Sequence, residues 1–169
     1  LSFFFEDKIK SSVIYNINNS LTTPITVAEI DFSLIKHFPY AALQFKNVAA
    51  QGSGTSQKQL LKAEKINLLF NFFSVFSDNL LLKKIVIENA ELNLLTDKQG
   101  NNNFDVFKKD SSGKAFSAEV ESFVLKNANV NVENKKNNFL MALHTDETKL
   151  GGSFSSTQFV MQTNASLEI

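Results

Sequence analysis

The sequence predicts a mainly β fold of the α+β type: a curved antiparallel β-sheet or groove with one N-terminal amphipathic helix and one short Phe-rich helix. Three observations support it. Apolar and polar residues alternate through most of the chain, the alternation shifts by one position in five separate segments, and only two stretches have helical spacing. The 169 residues are enough for one domain, and the absence of cysteine excludes disulfides and thiolate chemistry.

The first predicted element is a helix from Glu6 to Leu21. Ile9, Val13 and Ile17 recur every four residues, so they share one helical face. The acidic residues 6 and 7 would lie at the positive end of the helix dipole. We expect the apolar face of this helix to pack against the sheet near one end.

A second, shorter helix is predicted from Asn71 to Asn79. Its three aromatic residues, Phe72, Phe73 and Phe76, fall close to one face. Phenylalanine at helical spacing usually faces a core, so an inward-facing cluster is one interpretation. The alternative is a cluster that meets a membrane.

Five segments carry the shifted alternation. Apolar residues alternate at Ile25 and Val27, skip two positions and resume at Ile30; the same pattern recurs in residues 43–50, 61–70, 85–94 and 123–132. One extra residue in a strand keeps its apolar side chains on one face while bending the strand, as a β-bulge does. We therefore expect a bulge at each skipped pair. A hairpin turn is the alternative, disfavoured because no pair contains glycine.

Three of these segments also resemble each other in sequence, at a spacing of roughly 40 residues. They read Phe45-Lys-Asn-Val48, Ile87-Glu-Asn-Ala90 and Leu125-Lys-Asn-Ala128. This similarity indicates a repeated β unit. Shorter alternating runs follow at residues 139–143, 159–161 and 165–169, and predict further strands.

The alternation gives the sheet one polar and one apolar face. A helix of roughly 15 residues spans only ~22 Å, whereas eight strands at ~4.8 Å make a wider sheet. Part of the apolar face should stay uncovered, as an elongated groove for an apolar chain. The residues predicted to line it and bind lipid are Leu43, Phe45, Val48, Ile66, Leu68, Phe70, Ile85, Ile87, Ala90, Leu92, Leu94, Phe123, Leu125, Ala128, Val130 and Val132.

Charge and motif content exclude several function classes. The 17 lysines balance 17 acidic residues, so the chain lacks the basic excess of a nucleic-acid binder. His37 and His144 are far apart and outside any cluster with metal-ligand spacing. No phosphate-binding glycine motif or nucleophile elbow occurs. We expect no enzymatic activity, no cofactor and no metal.

The first five residues form an apolar stub ahead of the charged residues 6–10. The stub is either the arbitrary start of an excised domain or the remnant of a membrane anchor, and residues 6–169 form a single domain that we expect to be a fragment of a longer chain. The residues predicted to mark a membrane-proximal end are Leu1, Phe3, Phe4, Phe5, Phe72, Phe73 and Phe76.

Four segments in order, residues 38–48, 60–68, 84–95 and 97–106, resemble the N-terminal region of AsmA-like proteins. They include Phe38-Pro-Tyr-Ala-Ala-Leu43, Lys84-Ile-Val-Ile-Glu-Asn-Ala90 and Gly100-Asn-Asn-Asn-Phe-Asp105. The resemblance implies a periplasmic repeating β-groove, akin to TamB and chorein-type bridges, anchored to the inner membrane and involved in phospholipid transport and outer-membrane homeostasis. The chain departs from the family in lacking a membrane helix and in being far shorter.

The two functional expectations belong to different classes. The first is a non-enzymatic lipid-binding module whose partners are phospholipid and, at its N-terminal end, a membrane. The second is a structural or assembly domain with a closed apolar core that binds protein partners in the cell envelope. Neither involves nucleic acid.

Overall fold

The computed structural model describes residues 2–34, 39–54, 58–76, 82–106, 108, 120–151, 154–155, 158–159 and 162–164. One α-helix, one 3-10 helix and ten strands account for most of them. In chain order they are α1 (Ser2–Ser20), β1 (Ile25–Thr26), β2 (Glu29–Leu34), β3 (Tyr40–Gln51), β4 (Gln59–Asn71), the 3-10 helix (Phe72–Phe76), β5 (Leu82–Thr96), β6 (Val120–Asn134), β7 (Phe139–Gly151), β8 (Phe154–Ser155), β9 (Gln158–Phe159) and β10 (Gln162–Asn164).

Eight of the described strands form one curved open sheet. Seven of them follow the order β1-β3-β4-β5-β6-β7-β10, and the eighth, β2, pairs with β3. The short strands β1 and β2 both pair with β3 and together fill one edge position. A two-stranded ribbon, β8–β9, stands apart from it. The mainly β fold class predicted from the alternation is confirmed.

The expectation of a purely antiparallel sheet is wrong at one place, because β5 and β6 run parallel. Parallel neighbours need a crossover of a dozen or more residues, and residues 97–119 separate these two strands. Residues 108–113, whose Lys, Asp, Ser and Gly content predicts a surface loop, fall in this connection and, apart from residue 108, lie outside the described residues.

A row of extra residues crosses the sheet where the alternation shifts; we call it the crease. It contains Asn47 in β3, Glu64 in β4, Asn89 in β5 and Asn127 in β6, with residue pairs in unchanged register on both sides. The three asparagines have φ of 51°, 52° and 46°, a left-handed conformation that asparagine adopts more readily than most residues.

The crease confirms the extra residue predicted in these strands but not the register shift of a bulge. Each neighbouring strand carries its own extra residue in the same row, so no strand slips against the next. The hairpin alternative is wrong for β3, β4, β5 and β6, which run straight through these positions. The first predicted segment is instead interrupted at residues 27–28, and its two parts, β1 and β2, pair with β3 in the same register.

Helix α1 begins at Ser2, four residues earlier than predicted. Intrinsic helix propensities of aromatic and aliphatic residues differ by only fractions of a kcal/mol, so nothing prevents residues 3–5 from continuing the helix. The acidic residues 6 and 7 therefore lie outside its first turn, contrary to the prediction, and the expected boundary between residues 5 and 6 falls inside one helix. At the other end, Asn18 Oδ1 accepts the N–H of Ile25 at 3.0 Å, which ties the helix to β1.

The helix docks on the sheet through its predicted face. Val13 is only 1% exposed, and Ile17 packs against the same buried cluster, while the side chain of Ile9 lies outside the described residues. Packing of this kind is what holds a helix of this length in water.

The Phe-rich helix is confirmed as a 3-10 helix that is shorter than predicted. Asn71 caps it: its Oδ1 accepts the N–H of Phe73 at 2.9 Å, and its carbonyl accepts the Ser74 hydroxyl at 2.6 Å. A cap at this position explains why the helix starts directly where β4 ends.

Candidate functional site

The register of the sheet places all sixteen residues predicted to bind lipid on one face, which we call the apolar face. On one side of the crease, for example, Phe45 pairs with Ile66, which pairs with Ile87. On the other side of the crease, Leu92 pairs with Val130. The phase of the alternation, including its shift, was therefore read correctly from the sequence.

One part of the apolar face is closed. Leu43, Phe45, Val48, Leu68 and Phe70 are buried together with Val13 of α1 in a cluster that also contains Leu82 and Val120; we call this the closed core. These five predicted lipid-binding residues are covered by protein and do not offer free surface to a ligand in this structure. Ile66 and Ile85 pack at its margin.

A second buried cluster lies beside the closed core. It contains Ile87, Ala90, Leu125 and Ala128 from the predicted set, together with Ala63, which is 1% exposed. All of its described members, and the partly buried Phe123 and Val130 against it, come from the three neighbouring strands β4, β5 and β6. In β4, β5 and β6 the row next to the crease, on the same side of it as Leu92, consists of Ala63, Ala90 and Ala128. Their short side chains lie between larger apolar side chains.

The remaining part of the apolar face is open, and we call it the open end. Leu92, Leu94 and Val132 are only half-buried and belong to neither cluster of described residues. In β7, Met141 pairs with Val132 and is 40% exposed, and Phe139 is 49% exposed. The apolar face thus changes from a closed core under α1 to exposed apolar surface near the β6–β7 turn.

Three apolar-face residues in β7 were not among the predicted lipid-binding residues: Phe139, Met141 and Leu143. The alternation at residues 139–143 was visible in the sequence. It was not joined to the other segments because the shift in this strand falls among the polar residues Thr145 and Asp146.

The membrane-proximal set is only partly described. Phe72 packs against the closed core, which agrees with an inward-facing interpretation, whereas Phe73 is 58% exposed. Their rings meet edge to face with centroids 5.7 Å apart. Leu1 and the side chains of Phe3, Phe4, Phe5 and Phe76 lie outside the described residues.

The opposite face of the sheet, the polar face, carries side-chain amide ladders. Asn127 Nδ2 donates to Asn89 Oδ1 at 2.7 Å, and Asn89 Nδ2 donates to Glu64 Oε2 at 2.5 Å, so the ladder follows the crease across three strands. Asn131 Nδ2 similarly donates to Asn93 Oδ1 at 2.9 Å. Such bonds fix the exposed amides along the crease, whereas Leu60, Leu95 and Val124 of the same face are buried.

The described part of the sheet has two surface depressions. One, of about 400 Å³, is centred on the crease and lined by Asn47, Lys62, Asn89 and Asn127 among others. The other, of about 270 Å³, lies near the β6–β7 turn and is lined by Leu95 and Leu140 of the polar face and also by Leu94, Val132 and Met141 of the open end.

A cluster of three charged side chains lies at the β2 edge of the sheet. Lys46 Nζ lies 2.8 Å from Asp31 Oδ2 and 3.1 Å from Glu29 Oε1. The hydrogen bond from Lys46 holds the pKa of Asp31 below its usual 3.8, and the same contact raises the pKa of Lys46 above 10.5. This cluster stabilises the pairing of β2 with β3.

The loop after β5 folds back onto the sheet through Asn103, which is buried. Its Oδ1 accepts the N–H of Leu95 at 2.8 Å, and its Nδ2 donates to the carbonyl of Asn93 at 2.9 Å. The carbonyl of Asn103 accepts the N–H of Ser53 at 2.7 Å. Through its side chain and its carbonyl, Asn103 therefore ties the end of β5 to the β3–β4 connection.

The described residues contain no group of three or more His, Cys, Asp or Glu side chains that could hold a metal ion. His144 is exposed, with Nδ1 2.9 Å from Asn129 Oδ1 and Nε2 3.5 Å from Asp146 Oδ1, and His37 lies outside the described residues. Among the described helices, none is both long and apolar enough to cross a bilayer.

No protein-family model matches this chain, and no curated protein or solved structure matches it either.

Proposed function

We propose that this chain is a non-enzymatic lipid-binding module that holds acyl chains on the open end of its apolar face. The observation that carries the proposal is the continuation of this face beyond the closed core into exposed residues, including Met141 and Phe139. Soluble domains rarely leave contiguous apolar surface exposed unless something binds there.

The resemblance to AsmA-like proteins supports the same proposal and supplies its setting. By that resemblance the module is the membrane-proximal start of a β-groove, in the periplasm and anchored to the inner membrane in the full-length protein. Phospholipid would then enter from the membrane at the N-terminal end and move along the apolar face towards the outer membrane.

The open surface sets the strength of binding. A methylene gains about 0.8 kcal/mol when it is fully buried, and about half of that when it lies on an open face. An acyl chain of about fourteen carbons would gain roughly 6 kcal/mol, which corresponds to a Kd between micromolar and millimolar. Weak, reversible binding of this kind is suited to transfer, because the lipid must also leave.

The test is a pair of matched Leu→Asp substitutions on opposite faces. Leu92→Asp places a carboxylate on the apolar face at the open end, whereas Leu140→Asp makes the same change on the polar face, where Leu140 is already 78% exposed. Lipid carried through purification is measured by native mass spectrometry, and binding of a fluorescent fatty acid by titration. Circular dichroism checks that each variant is folded.

We expect Leu92→Asp to lose bound lipid and to bind the fatty acid at least about tenfold more weakly, because a carboxylate in an apolar contact costs more than 1.4 kcal/mol. Leu140→Asp should bind as the unsubstituted chain does. A folded Leu92→Asp protein that still carries lipid would refute the proposal. Leu94→Asp, nearer the end of β5, serves as a second variant if Leu92→Asp does not fold.

A structural or assembly role is the second candidate, favoured by the closed core. Leu43, Phe45 and Phe70 are buried against protein, as in an ordinary domain interior. Under this reading the unsubstituted chain carries no lipid, and Leu92→Asp destabilises the fold without changing any lipid signal. Native mass spectrometry of the unsubstituted chain alone separates the two candidates.

A further inference from the structure

On the apolar face, the two positions that flank the crease are apolar in four strands and carry hydroxyls in the fifth. In β7 the crease falls at Asp146, which has no partner in β6. Thr145 and Thr148 flank it, and their partners Ala128 and Leu125 lie on the apolar face. The corresponding apolar pairs are Phe45 and Val48 in β3, Ile66 and Ala63 in β4, Ile87 and Ala90 in β5, and Leu125 and Ala128 in β6. The two threonines are therefore polar side chains at the end of an apolar row.

The two hydroxyls are in contact across the crease. Oγ1 of Thr145 lies 2.7 Å from Oγ1 of Thr148, and one of them donates to the other. This bond uses one of the two hydroxyl protons, and the second makes no hydrogen bond to any described residue. Thr148 is buried whereas Thr145 is half-buried, so Thr145 is the one that a ligand on the apolar face can reach. When Thr148 donates to Thr145, the Thr145 hydroxyl is free to donate outwards, and hydrogen bonds in such a chain strengthen each other.

An apolar path leads from Thr145 to the open end. Leu143, Met141 and Phe139 follow on the same face of β7, towards the β6–β7 turn. At ~3.3 Å per residue, the path from Thr145 to Phe139 is roughly 20 Å long. An acyl chain in one leaflet of a bilayer occupies about half of the ~30 Å hydrocarbon core, which is about 15 Å. A chain whose polar end meets Thr145 would therefore lie over Leu143 and reach Met141.

The surroundings of Thr145 favour a neutral acceptor over a charged one. On the Leu92 side of the crease, the apolar-face positions of β5, β6 and β7 hold no charged residue. Burying a carboxylate without a counter-charge costs far more than burying a carbonyl that accepts a hydrogen bond. The side chain of Asp146, next to Thr145, is fully exposed, so a group attached beyond the acceptor can reach water.

We propose that Thr145 donates its hydroxyl proton to the ester carbonyl oxygen of an acyl lipid, with Thr148 as the residue that positions the Thr145 hydroxyl. The acyl chain then lies along β7 towards the open end. This inference rests on the proposed function, because it names the class of lipid held there: esterified acyl chains in preference to free fatty acids.

The test compares two single-chain phosphatidylcholines with the same headgroup and the same 14-carbon chain length, one ester-linked and one ether-linked. Only the ester-linked lipid has a carbonyl oxygen. Each competes with a fluorescent fatty acid for the 169-residue chain, and myristate is measured alongside. We expect the ester-linked lipid to bind about fivefold more tightly than the ether-linked one, as one additional hydrogen bond would give.

The ratio of ester to ether binding is then measured in four variants. Thr145→Val removes the hydroxyl with little change in volume and should bring the ratio to about one, whereas Thr145→Ser should keep it. Thr148→Val should lower the ratio in part. The control, Thr26→Val, removes a hydroxyl from the polar face of β1 and should leave the ratio unchanged. Because both lipids are measured on the same variant, a general change in apolar binding cancels, and circular dichroism checks folding.

The outcomes separate this inference from the proposed function. Equal binding of the two lipids to the unsubstituted chain, or a ratio that Thr145→Val leaves intact, overturns the inference while lipid binding itself stands. A larger loss for myristate than for the ester-linked lipid in Thr145→Val assigns the site to free fatty acids and also overturns it. A chain that binds none of the lipids overturns both.

Discussion

The left-handed conformation of the crease can be tested at Asn47, whose φ is 51°. Its side chain makes no hydrogen bond to any described residue, so a substitution changes little beyond the backbone preference. A residue with a Cβ pays about 1–2 kcal/mol in this conformation, asparagine pays less, and glycine pays none. We therefore expect Asn47→Ala to lower the free energy of unfolding by about 1 kcal/mol.

Asn47→Gly should be more stable than Asn47→Ala by about 0.5–1 kcal/mol, because relief at positive φ outweighs the extra unfolded-state entropy of glycine. The control is Ala49, two residues further along the same strand. At Ala49, outside the crease, the order reverses, and Ala49→Gly should cost about 0.5–1 kcal/mol.

Urea unfolding with a constant m-value measures all of these differences. At Asn127, alanine should cost more than at Asn47, because it also removes the 2.7 Å hydrogen bond to Asn89. Equal stability of the alanine and glycine variants at Asn47 would show that the strand does not need a left-handed residue there, and the account of the crease would be wrong.

Three further predictions concern the elements around the apolar face. Val13→Ala should lower the unfolding free energy by about 2 kcal/mol in urea melts, because it leaves a cavity where α1 meets the closed core. Asn103→Ala should cost about 1–3 kcal/mol by the same assay, since the buried N–H of Leu95 loses its acceptor. Asp31→Asn should remove part of the loss of stability in acid: the folded pKa of Asp31 is depressed, so its contribution is present above pH 3.8 and disappears as the pH falls through the lower folded value.

Each has a control of the same kind. Tyr15→Ala, on the exposed side of α1, should change stability little, and a comparable loss would argue against docking through Val13. Asn101→Ala also removes a side-chain hydrogen bond, from Nδ2 to Asp97 Oδ2 at 2.8 Å, but an exposed one, so it should lower the free energy of unfolding less than Asn103→Ala does. For Asp31, pH titrations of unfolding at low and high salt should show the acid-dependent difference shrinking with salt, because the pair is exposed. Identical pH profiles with and without the carboxylate would contradict the role given to Lys46.

The sequence was sufficient to predict which side chains share a face, because alternation is a local property of each strand. Even the shift at Asn47 and Asn89 was readable, since two polar residues in succession interrupt the pattern. The direction of a neighbouring strand leaves no such mark. Nothing in the alternation of residues 85–94 or 123–132 distinguishes a parallel partner from an antiparallel one.

The burial of the predicted lipid-binding residues could not be derived from the sequence. Leu43 and Leu94 occupy equivalent places in the pattern, yet the first is buried near α1 and the second is half-exposed. The difference depends on where α1 docks, which is a tertiary contact. Asn103 is a similar case, because in a run of three asparagines only the folded loop determines which amide is buried.

The parallel pairing of β5 and β6 has a consequence for the order of folding. Each β6 residue pairs with the β5 residue 38 positions earlier, whereas β3, β4 and β5 follow one another as antiparallel neighbours, and β6 joins β7 through a four-residue turn, residues 135–138. The β3–β4–β5 unit and the β6–β7 hairpin each consist of strands that are neighbours in sequence, so each can form early. The pairing of β5 with β6 joins these two units and requires closure of the loop formed by residues 97–119. Because non-local pairing slows folding, we expect the pairing of β5 with β6 to limit the rate at which the sheet is completed.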